Sequence, residues 1–459
     1  MKLKFPGKII GFCLFTIVIT SAWLYRDSFS AYFFQDDWFT LNISSAKNLS
    51  DVLKFFIPRI DVIYYRPLGM HLPFFLLKII FGINPLPFHL LTFTTHILNI
   101  ILVFLLIRIL IKKEAIALLS SFFYATSTAH YIPFFWSSTY PFVLGPTMFF
   151  LSFFLFLKFI NTKKEILIAL SFLFFFVGFF INEIVLFLPL VLVTYMIIFQ
   201  KTKLFKYLIP YFSLSIIFFV VRFFWFPAPF SSDYKLVISK SILNNLQAYF
   251  LWSFNWPEEM KAQMIRFFMF NPKFIQEFKP YFVIFITTLF INLLFFFVIP
   301  IVRMKQRILK KDTYRLILLG LIWFLIGLIP VLFFPYHLFS YYLPISLAGL
   351  LLTIAVLLNS TKYSIILILI LIINWFLVSA TTINFNSQIH WAPRRAKLSK
   401  ILIEKTIKKY PTVSDGQIIF IRPTSENKLA LNDQDGFQVF YDKKTILTVY
   451  SYVIDQESL

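Results

Sequence analysis

Two adjacent carboxylates, Asp36 and Asp37, lie among aromatic residues in the segment Phe34-Gln35-Asp36-Asp37-Trp38. A carboxylate with an unperturbed pKa near ~4 is ionised at neutral pH and can accept a proton. A general base of this kind typically contributes about 10²–10⁴-fold to a reaction rate. Asp36 and Asp37 are therefore candidate catalytic residues, one as the base and the other as an orienting or metal-binding partner. The alternative is a pair of solvated loop acids, since Asp-Asp pairs are common.

A second candidate, Arg66, follows in the segment Tyr64-Tyr65-Arg66-Pro67-Leu68. A guanidinium can bind a phosphate with two parallel hydrogen bonds, which suits the head group of a phospholipid or of a lipid-linked substrate. Arg222, near the end of a later apolar block, is a second candidate for phosphate binding. The alternative for Arg66 is a side chain that extends to the membrane surface without binding a ligand.

Four further polar residues are candidates for a substrate pocket, because each lies at the end of an apolar block. They are His130, Glu183, His337 and Tyr342. Glu183 is alternatively a solvated turn residue, and tyrosines at this depth often belong to the aromatic belt of a membrane protein. Each residue alone is a weak signal, but all four fall on the same predicted side of the membrane as Asp36 and Arg66.

The composition indicates which elements position these residues. Of 459 residues, 59% are hydrophobic and 14% are charged, against roughly 45–50% and about 25% in soluble domains. The apolar residues come in blocks near the ~20 residues that cross a bilayer as a helix. This pattern excludes a soluble enzyme and a disordered chain, and the single cysteine, Cys13, excludes a disulfide scaffold. It predicts an all-α polytopic membrane protein.

Eleven apolar blocks are predicted to cross the membrane. They cover residues 9–25, 86–111, 114–132, 141–160, 165–181, 184–200, 207–225, 281–302, 314–334, 339–358 and 363–383. The first begins after three lysines and has no small-residue cleavage site, which predicts an uncleaved signal anchor.

Lysine and arginine in short loops predict the orientation, because cytoplasmic loops carry the excess. One alternating set of loops carries Lys2, Lys4, Lys8, Lys112, Lys113, Lys163, Lys164, Lys201, Lys203, Lys206, Arg303, Lys305, Arg307, Lys310, Lys311 and Lys362. The opposite short loops carry none, so we expect a cytoplasmic N-terminus and an extracytoplasmic C-terminus in the cell (plasma or inner) membrane. The net charge of +22 is explained by these loops and by attraction to anionic membrane lipids, and we expect no nucleic-acid partner.

Two long loops and the tail are then predicted to lie outside the membrane. A transmembrane domain covers residues 1–388, with a first outer loop at 26–85 and a second at 226–280. Mixed apolar and polar stretches at 68–82, 236–254 and 262–278 predict interfacial helices. The tail, 389–459, is predicted to be a small α+β domain. A basic amphipathic stretch at 389–409 begins it, and short strands follow at 417–421, 436–441 and 446–453.

The order of these motifs resembles the GT-C superfamily of integral-membrane glycosyltransferases over about residues 1–400. The closest similarity is to the protein O-mannosyltransferase-like branch and the aminoarabinose lipid A transferases. The matching features are Asp36-Asp37, Tyr65-Arg66-Pro67-Leu68, Gly82-x-Asn84-Pro85 leading to Phe88-His89, Ala129-His130 before Phe135-Trp136-Ser137, Asn182-Glu183, residues 328–333 and Ser340-Tyr341-Tyr342-Leu343-Pro344. The chain departs from the pattern at Asn182, where relatives often show Lys, and at Ser340, where they often show Arg.

The resemblance implies transfer of a sugar from a polyprenyl-phosphate carrier to an extracytoplasmic acceptor, which is a cell-envelope glycan, a lipid or a protein. It implies that Asp36 or Asp37 deprotonates the acceptor hydroxyl, and that Arg66, with Arg222, stabilises the departing lipid phosphate. Direct attack would invert the anomeric carbon. No organic cofactor is expected, and a requirement for a divalent cation is left open. Two other functions compete with this one: a flippase or transporter of lipid-linked glycans, and a non-catalytic membrane scaffold.

Overall fold

The computed structural model describes residues 6–59, 61–225, 231–266, 269–305, 311–361 and 363–451. Lys2, Lys4, Arg307, Lys310 and Lys362 of the predicted basic loops lie outside these ranges, as do 226–230, 267–268 and the end of the last predicted strand. The chain is 77% helical, which confirms the predicted nearly all-α fold class.

Eighteen α-helices precede the tail in the described residues. They are α1 (Gly7–Leu24), α2 (Asp36–Ile43), α3 (Leu49–Lys54), α4 (Leu72–Phe81), α5 (Leu86–Ile111), α6 (Glu114–Ala125), α7 (Tyr131–Phe135), α8 (Pro141–Thr162), α9 (Glu165–Phe179), α10 (Leu188–Ile198), α11 (Ile209–Phe224), α12 (Ser241–Trp252), α13 (Pro272–Glu277), α14 (Lys279–Leu293), α15 (Ile299–Lys305), α16 (Lys311–Leu332), α17 (Pro344–Thr361) and α18 (Ile365–Ile389). Short 3₁₀ and π segments connect several of them.

Eight helices among the described residues are long and apolar enough to cross a membrane, so the chain has the character of a multi-pass membrane protein. They are Gly7–Leu24, Leu86–Ile111, Ser137–Thr162, Thr202–Arg222, Lys279–Arg303, Lys311–Leu332, Pro344–Thr361 and Ile365–Ile389. The predicted count of eleven is not confirmed. The other three predicted spans are helical, at Glu114–Ala125, Glu165–Phe179 and Glu183–Ile198, but these helices are only 10–17 residues long.

Helix α17 lies at the centre of the bundle, because 89% of the residues in its 18-residue apolar stretch are buried. It packs against α16, α6 and α8. Small residues bring α16 and α17 close together: a Cβ on Gly349 would lie 2.7 Å from the backbone nitrogen of Phe324. Such close approach is typical of helix pairs inside membranes, where packing replaces the hydrophobic effect as the driving force.

The peripheral helices expose apolar side chains. In α1, only 17% of the residues in the 18-residue apolar stretch are buried, and Phe12 and Phe15 on this helix are exposed. Exposed apolar surface on this scale marks contact with lipid or with a partner. For helices of this length and hydropathy we interpret it as a lipid-facing surface.

The long loops contain short helices, as predicted, with one correction. Helices α4 and α12 occupy the stretches predicted at 68–82 and 236–254. The predicted single helix at 262–278 is wrong: two antiparallel strands, β1 (Met264–Arg266) and β2 (Met269–Phe270), precede the short helix α13. Pro272 explains the break, because a proline disfavours helical geometry in the residue before it.

The tail consists of α19 (Trp391–Lys409), β3 (Ile418–Ile421), α20 (Ser425–Leu431), α21 (Asp435–Phe440) and β4 (Leu447–Tyr450). The predicted strands at 417–421 and 446–453 are found as β3 and β4, but the strand predicted at 436–441 is wrong, because these residues form α21. Strands β3 and β4 pair in parallel. Parallel strands need a crossover connection, usually a helix, and α20 and α21 supply it.

The tail packs directly on the first long loop. Phe33, Trp38 and Leu41 of the loop share a buried apolar cluster with tail residues that include Ile403 and Phe437. The indole Nε1 of Trp38 also donates a hydrogen bond of 2.9 Å to the Ser399 hydroxyl. The tail therefore covers helix α2, which begins with the acidic pair.

Candidate active site

The acidic pair opens helix α2, and its two carboxylates differ in their contacts. Asp37 is 1% exposed. Its Oδ1 accepts a hydrogen bond of 2.7 Å from the backbone nitrogen of Ser138, and its Oδ2 accepts one of 3.2 Å from that of Phe34. Both oxygens are thus occupied by the protein's own backbone. Asp37 fixes the start of α2 against the 3₁₀ turn Ser137–Thr139.

Asp36 is partly exposed, and its carboxylate forms no hydrogen bond with the described residues. Burial raises the pKa of Asp36 to about 6. The nearby Asp435 carboxylate raises this pKa further, and the Arg395 guanidinium lowers it. Asp36 is therefore ionised at neutral pH, is a stronger base than an ordinary aspartate, and has both oxygens available to a substrate.

Arg66 and Glu183 form a partly buried ion pair. The Nε of Arg66 lies 3.0 Å from Oε2 of Glu183, while Oε1 of Glu183 accepts a hydrogen bond of 3.0 Å from the backbone nitrogen of Tyr65. Glu183 therefore binds both the side chain of Arg66 and the backbone of Tyr65. The two terminal nitrogens of Arg66 form no hydrogen bond with the described residues, so they keep donors that a phosphate can accept from in bidentate fashion.

Aromatic rings surround this guanidinium. It stacks over Tyr64 at 5.1 Å and over Phe142 at 4.7 Å, and the ring of Tyr342 lies 5.0 Å from Phe142. Stacking of this kind orients a planar cation without using its hydrogen-bond donors. The two stacked rings and the ion pair with Glu183 together hold the Arg66 guanidinium in place.

Asp36 and Arg66 act on the same two tyrosines, Tyr64 and Tyr234. Burial raises the pKa of Tyr234 to about 12. The Arg66 charge lowers this pKa, and the Asp36 charge raises it. Tyr64 has a pKa raised by burial, then by the Asp36 charge, and lowered by Arg66. The carboxylate and the guanidinium are therefore both close enough to these two phenols to influence them.

His337 completes the cluster. Its Nε2 lies 2.8 Å from the hydroxyl of Tyr234 and 3.3 Å from that of Tyr341. Burial lowers the pKa of His337 to about 4, so the imidazole is neutral and Nε2 can accept from either hydroxyl. We refer to Asp36, Tyr64, Arg66, Glu183, Tyr234 and His337 as the Asp36–Arg66 cluster.

Two of the residues predicted for the site are engaged elsewhere. The guanidinium of Arg222 donates hydrogen bonds to the backbone carbonyls of Val62 and Ile63. It thus holds the segment that leads into Tyr64 and Arg66. His130 is buried in the bundle, where Nε2 lies 3.0 Å from the carbonyl oxygen of Tyr124 and the ring packs 4.3 Å from that of His96.

Sequence reasoning missed a second acid, which is partly buried. Glu258 accepts a hydrogen bond of 2.7 Å through Oε2 from the backbone nitrogen of Ser340, two residues from Tyr342. Burial raises the pKa of Glu258 to about 7. The signal was available, because Glu258-Glu259 repeats in the second loop the paired-acid pattern of Asp36-Asp37 in the first.

It also missed the contribution of the tail. Gln35, just before the acidic pair, has φ 51° and ψ −129°, a left-handed backbone conformation that is uncommon outside glycine. Its side-chain Oε1 accepts a hydrogen bond of 2.8 Å from Arg395, and its backbone nitrogen donates one of 3.1 Å to Ala430. Arg395 is itself held by Glu426 through two hydrogen bonds of 3.1 and 3.2 Å. The tail thus stabilises the strained residue that aims Asp36.

Among the described residues, no group of three or more His, Cys, Asp or Glu side chains could hold a metal ion. Two groups of the Asp36–Arg66 cluster can act chemically. Asp36 can take a proton from a hydroxyl, and Arg66 can stabilise negative charge that develops on a phosphate oxygen. Comparison of the sequence with protein-family models and with curated proteins finds no significant match.

Proposed function

We propose that the protein is a membrane glycosyltransferase of the GT-C type, which moves a sugar from a polyprenyl-phosphate donor to an extracytoplasmic acceptor. The observation that carries the proposal is that a carboxylate, Asp36, and a guanidinium, Arg66, influence the same two tyrosines, while neither the Asp36 carboxylate nor the terminal nitrogens of Arg66 form a hydrogen bond with the described residues. A base and a phosphate-binding cation in one neighbourhood meet the two needs of this reaction. The order of motifs along the chain supports the same assignment.

In this reaction Asp36 takes the proton of the acceptor hydroxyl, and the acceptor oxygen attacks the anomeric carbon of the sugar. The bond from that carbon to the phosphate oxygen breaks, and the lipid phosphate leaves with the electron pair. Arg66 stabilises the charge that develops on the phosphate through Nη1 and Nη2. The configuration at the anomeric carbon is inverted because attack and departure occur on opposite faces.

An open cleft beside α2 is the proposed acceptor site, although Asp36 itself does not line it. It has a volume of ≈ 720 Å³ and lies between the first long loop and the tail. Phe39 and Asn42 of α2 line it together with Asp435 and Gln438 of the tail. Amide and carboxylate groups beside an aromatic ring suit a hydroxyl-rich acceptor such as a glycan.

The proposal includes eleven spans. The three shorter helices Glu114–Ala125, Glu165–Phe179 and Glu183–Ile198 then also cross the membrane with the connecting turns. With eleven spans the two termini lie on opposite sides of the membrane, and the lysines and arginines of the short loops favour a cytoplasmic N-terminus and an extracytoplasmic C-terminus in the cell (plasma or inner) membrane. The Asp36–Arg66 cluster then faces the leaflet in which an extracytoplasmic sugar donor would lie.

The direct test is incubation of the purified protein with radiolabelled polyprenyl-phosphate sugars and a mixture of envelope glycans, lipids and peptides. We expect one labelled sugar to leave its lipid and appear on an acceptor, with no transfer by the Asp36→Asn variant. If the intact labelled lipid instead crosses a vesicle membrane and keeps its sugar, the protein is a flippase and the proposal is wrong.

The pH dependence of transfer provides a second prediction. Asp36 must be ionised to act as a base, and its pKa of about 6 lies above its value near 4 in an unfolded chain. We therefore expect the transfer rate to fall as the pH drops through about 6. Because Arg395 lowers this pKa, the Arg395→Ala variant should lose activity at a higher pH than the wild type.

The matched control for this pH profile is Lys400→Ala. Lys400 lies on the same helix, α19, and its only ion pair in the described residues is a long, exposed one of 3.9 Å with Glu404. Removal of Lys400 should not change the pH at which the transfer rate falls. The measurement is kcat/KM over pH 4.5 to 8. If the pH at which kcat/KM falls does not shift in Arg395→Ala, the assignment of Asp36 as the base is contradicted.

A further inference from the structure

We propose that a basic cavity at the end of α5, α6 and α8 binds the phosphate head group of an anionic membrane phospholipid. The cavity has a volume of ≈ 750 Å³. Four cationic side chains line it: Arg108, Lys112, Lys113 and Lys158. The inference rests on the membrane-spanning character of α5 and α8 and is independent of the proposed glycosyl transfer.

Cationic side chains outnumber acidic ones in the described lining of the basic cavity. Glu114 is the one acidic residue that lines it, and Oε1 of Glu114 lies 3.0 Å from Nη2 of Arg108. Lys112, Lys113 and Lys158 form no ion pair with the described residues. Several ammonium groups around one concavity repel one another, and a bound anion would relieve this repulsion.

The turn between α5 and α6 brings two of these lysines together. Lys112 ends α5 in a left-handed conformation with φ 60°, and Lys113 immediately precedes α6. The third lysine, Lys158, comes from α8, where its ammonium group lies 5.2 Å from the centre of the Phe154 ring. Residues distant in sequence thus present ammonium groups to one space.

The rest of the lining selects a lipid over a soluble phosphate. Leu105, Ile109 and Phe154 are apolar and face the same cavity. An apolar wall that ends in cationic groups matches the boundary between acyl chains and head groups, where basic pockets between helices bind anionic lipids. A soluble anion would leave this apolar wall uncovered.

The basic cavity lies far from the Asp36–Arg66 cluster. Helix α5 has 26 residues and is about 39 Å long at 1.5 Å per residue. Phe88, near its beginning, packs with the first long loop, whereas Arg108 lies near its end. The cavity is thus at the opposite end of the bundle from the candidate active site.

The test uses the full-length protein in lipid nanodiscs and in detergent. We expect native mass spectrometry to show preferential retention of phosphatidylglycerol over phosphatidylcholine by the wild type. The triple variant Lys112→Ala/Lys113→Ala/Lys158→Ala should bind phosphatidylglycerol on the order of 100-fold more weakly, because each lysine near a membrane surface contributes about a factor of five.

The matched control removes the same number of charges elsewhere. Lys201, Lys203 and Lys206 are exposed and do not line the basic cavity, so their triple alanine variant should retain the wild-type preference. Equal loss of lipid in both variants would overturn the proposal, as would displacement of the lipid by 10-fold excess inorganic phosphate. A wild type with no preference between the two lipids would overturn it whether or not the variants fold.

Discussion

Asp36→Asn is expected to reduce sugar transfer by about 10²–10⁴-fold, the usual contribution of a general base, without loss of folded protein. The carboxylate of Asp36 forms no hydrogen bond with the described residues, so no internal contact is broken by the substitution. The raised pKa of Asp36 also means that its ionised form destabilises the folded state above about pH 6. The asparagine variant should therefore be at least as stable as the wild type at neutral pH.

Asp37→Asn provides the contrast. Asp37 accepts from two backbone nitrogens, those of Ser138 and Phe34. An amide can accept on one side only, so its NH₂ group would face a second donor. We expect this variant to lose about 1–3 kcal/mol of folding stability and to melt at a lower temperature in detergent.

The pair of variants separates catalysis from structure. Transfer rates with the most active donor and thermal melting curves should be measured on the same two preparations. If Asp36→Asn retains the wild-type rate while Asp37→Asn loses it at unchanged melting temperature, the roles of the two carboxylates are reversed. If both keep the wild-type rate, neither is the base.

Arg66→Gln is the second large effect, with an expected reduction in kcat of about 10²–10³-fold, as for other groups that stabilise charge in a transition state. The Arg66→Lys variant should recover little of the lost kcat, because an ammonium group cannot keep the contact to Glu183 and also bind a phosphate in bidentate fashion. The measurement is single-turnover transfer at saturating donor, which separates the chemical step from donor binding.

Glu183→Gln is the matched control for Arg66. The amide oxygen can still accept from the backbone nitrogen of Tyr65, but the charge that orients the guanidinium is lost. We expect a smaller reduction than for Arg66→Gln, and Arg66→Gln/Glu183→Gln should be no worse than Arg66→Gln alone. Wild-type single-turnover rates in Arg66→Gln would remove this residue from the reaction.

Several features of the fold followed from local properties of the sequence. Hydropathy located the long helices and those of the three shorter blocks, because a chain that cannot hydrogen-bond to lipid must satisfy its backbone within each segment. It did not locate α2, α3 or α20. Short runs between turn residues located β3 and β4. The same pattern failed at 436–441, because the parallel pairing of β3 with β4 requires a helical crossover that no local pattern records.

Residue types and hydropathy along the chain predicted a bundle of apolar helices with an acidic pair and an arginine in the first long loop, because these are local properties. The partners of these residues depend on the tertiary structure. Arg66 pairs with Glu183 117 residues away, and Arg395 reaches Gln35 across 360 residues. In the folded protein, Arg222 binds backbone carbonyls of the first long loop, and His130 is buried within the bundle. Such contacts depend on how the helices pack, which spacing along the chain does not encode.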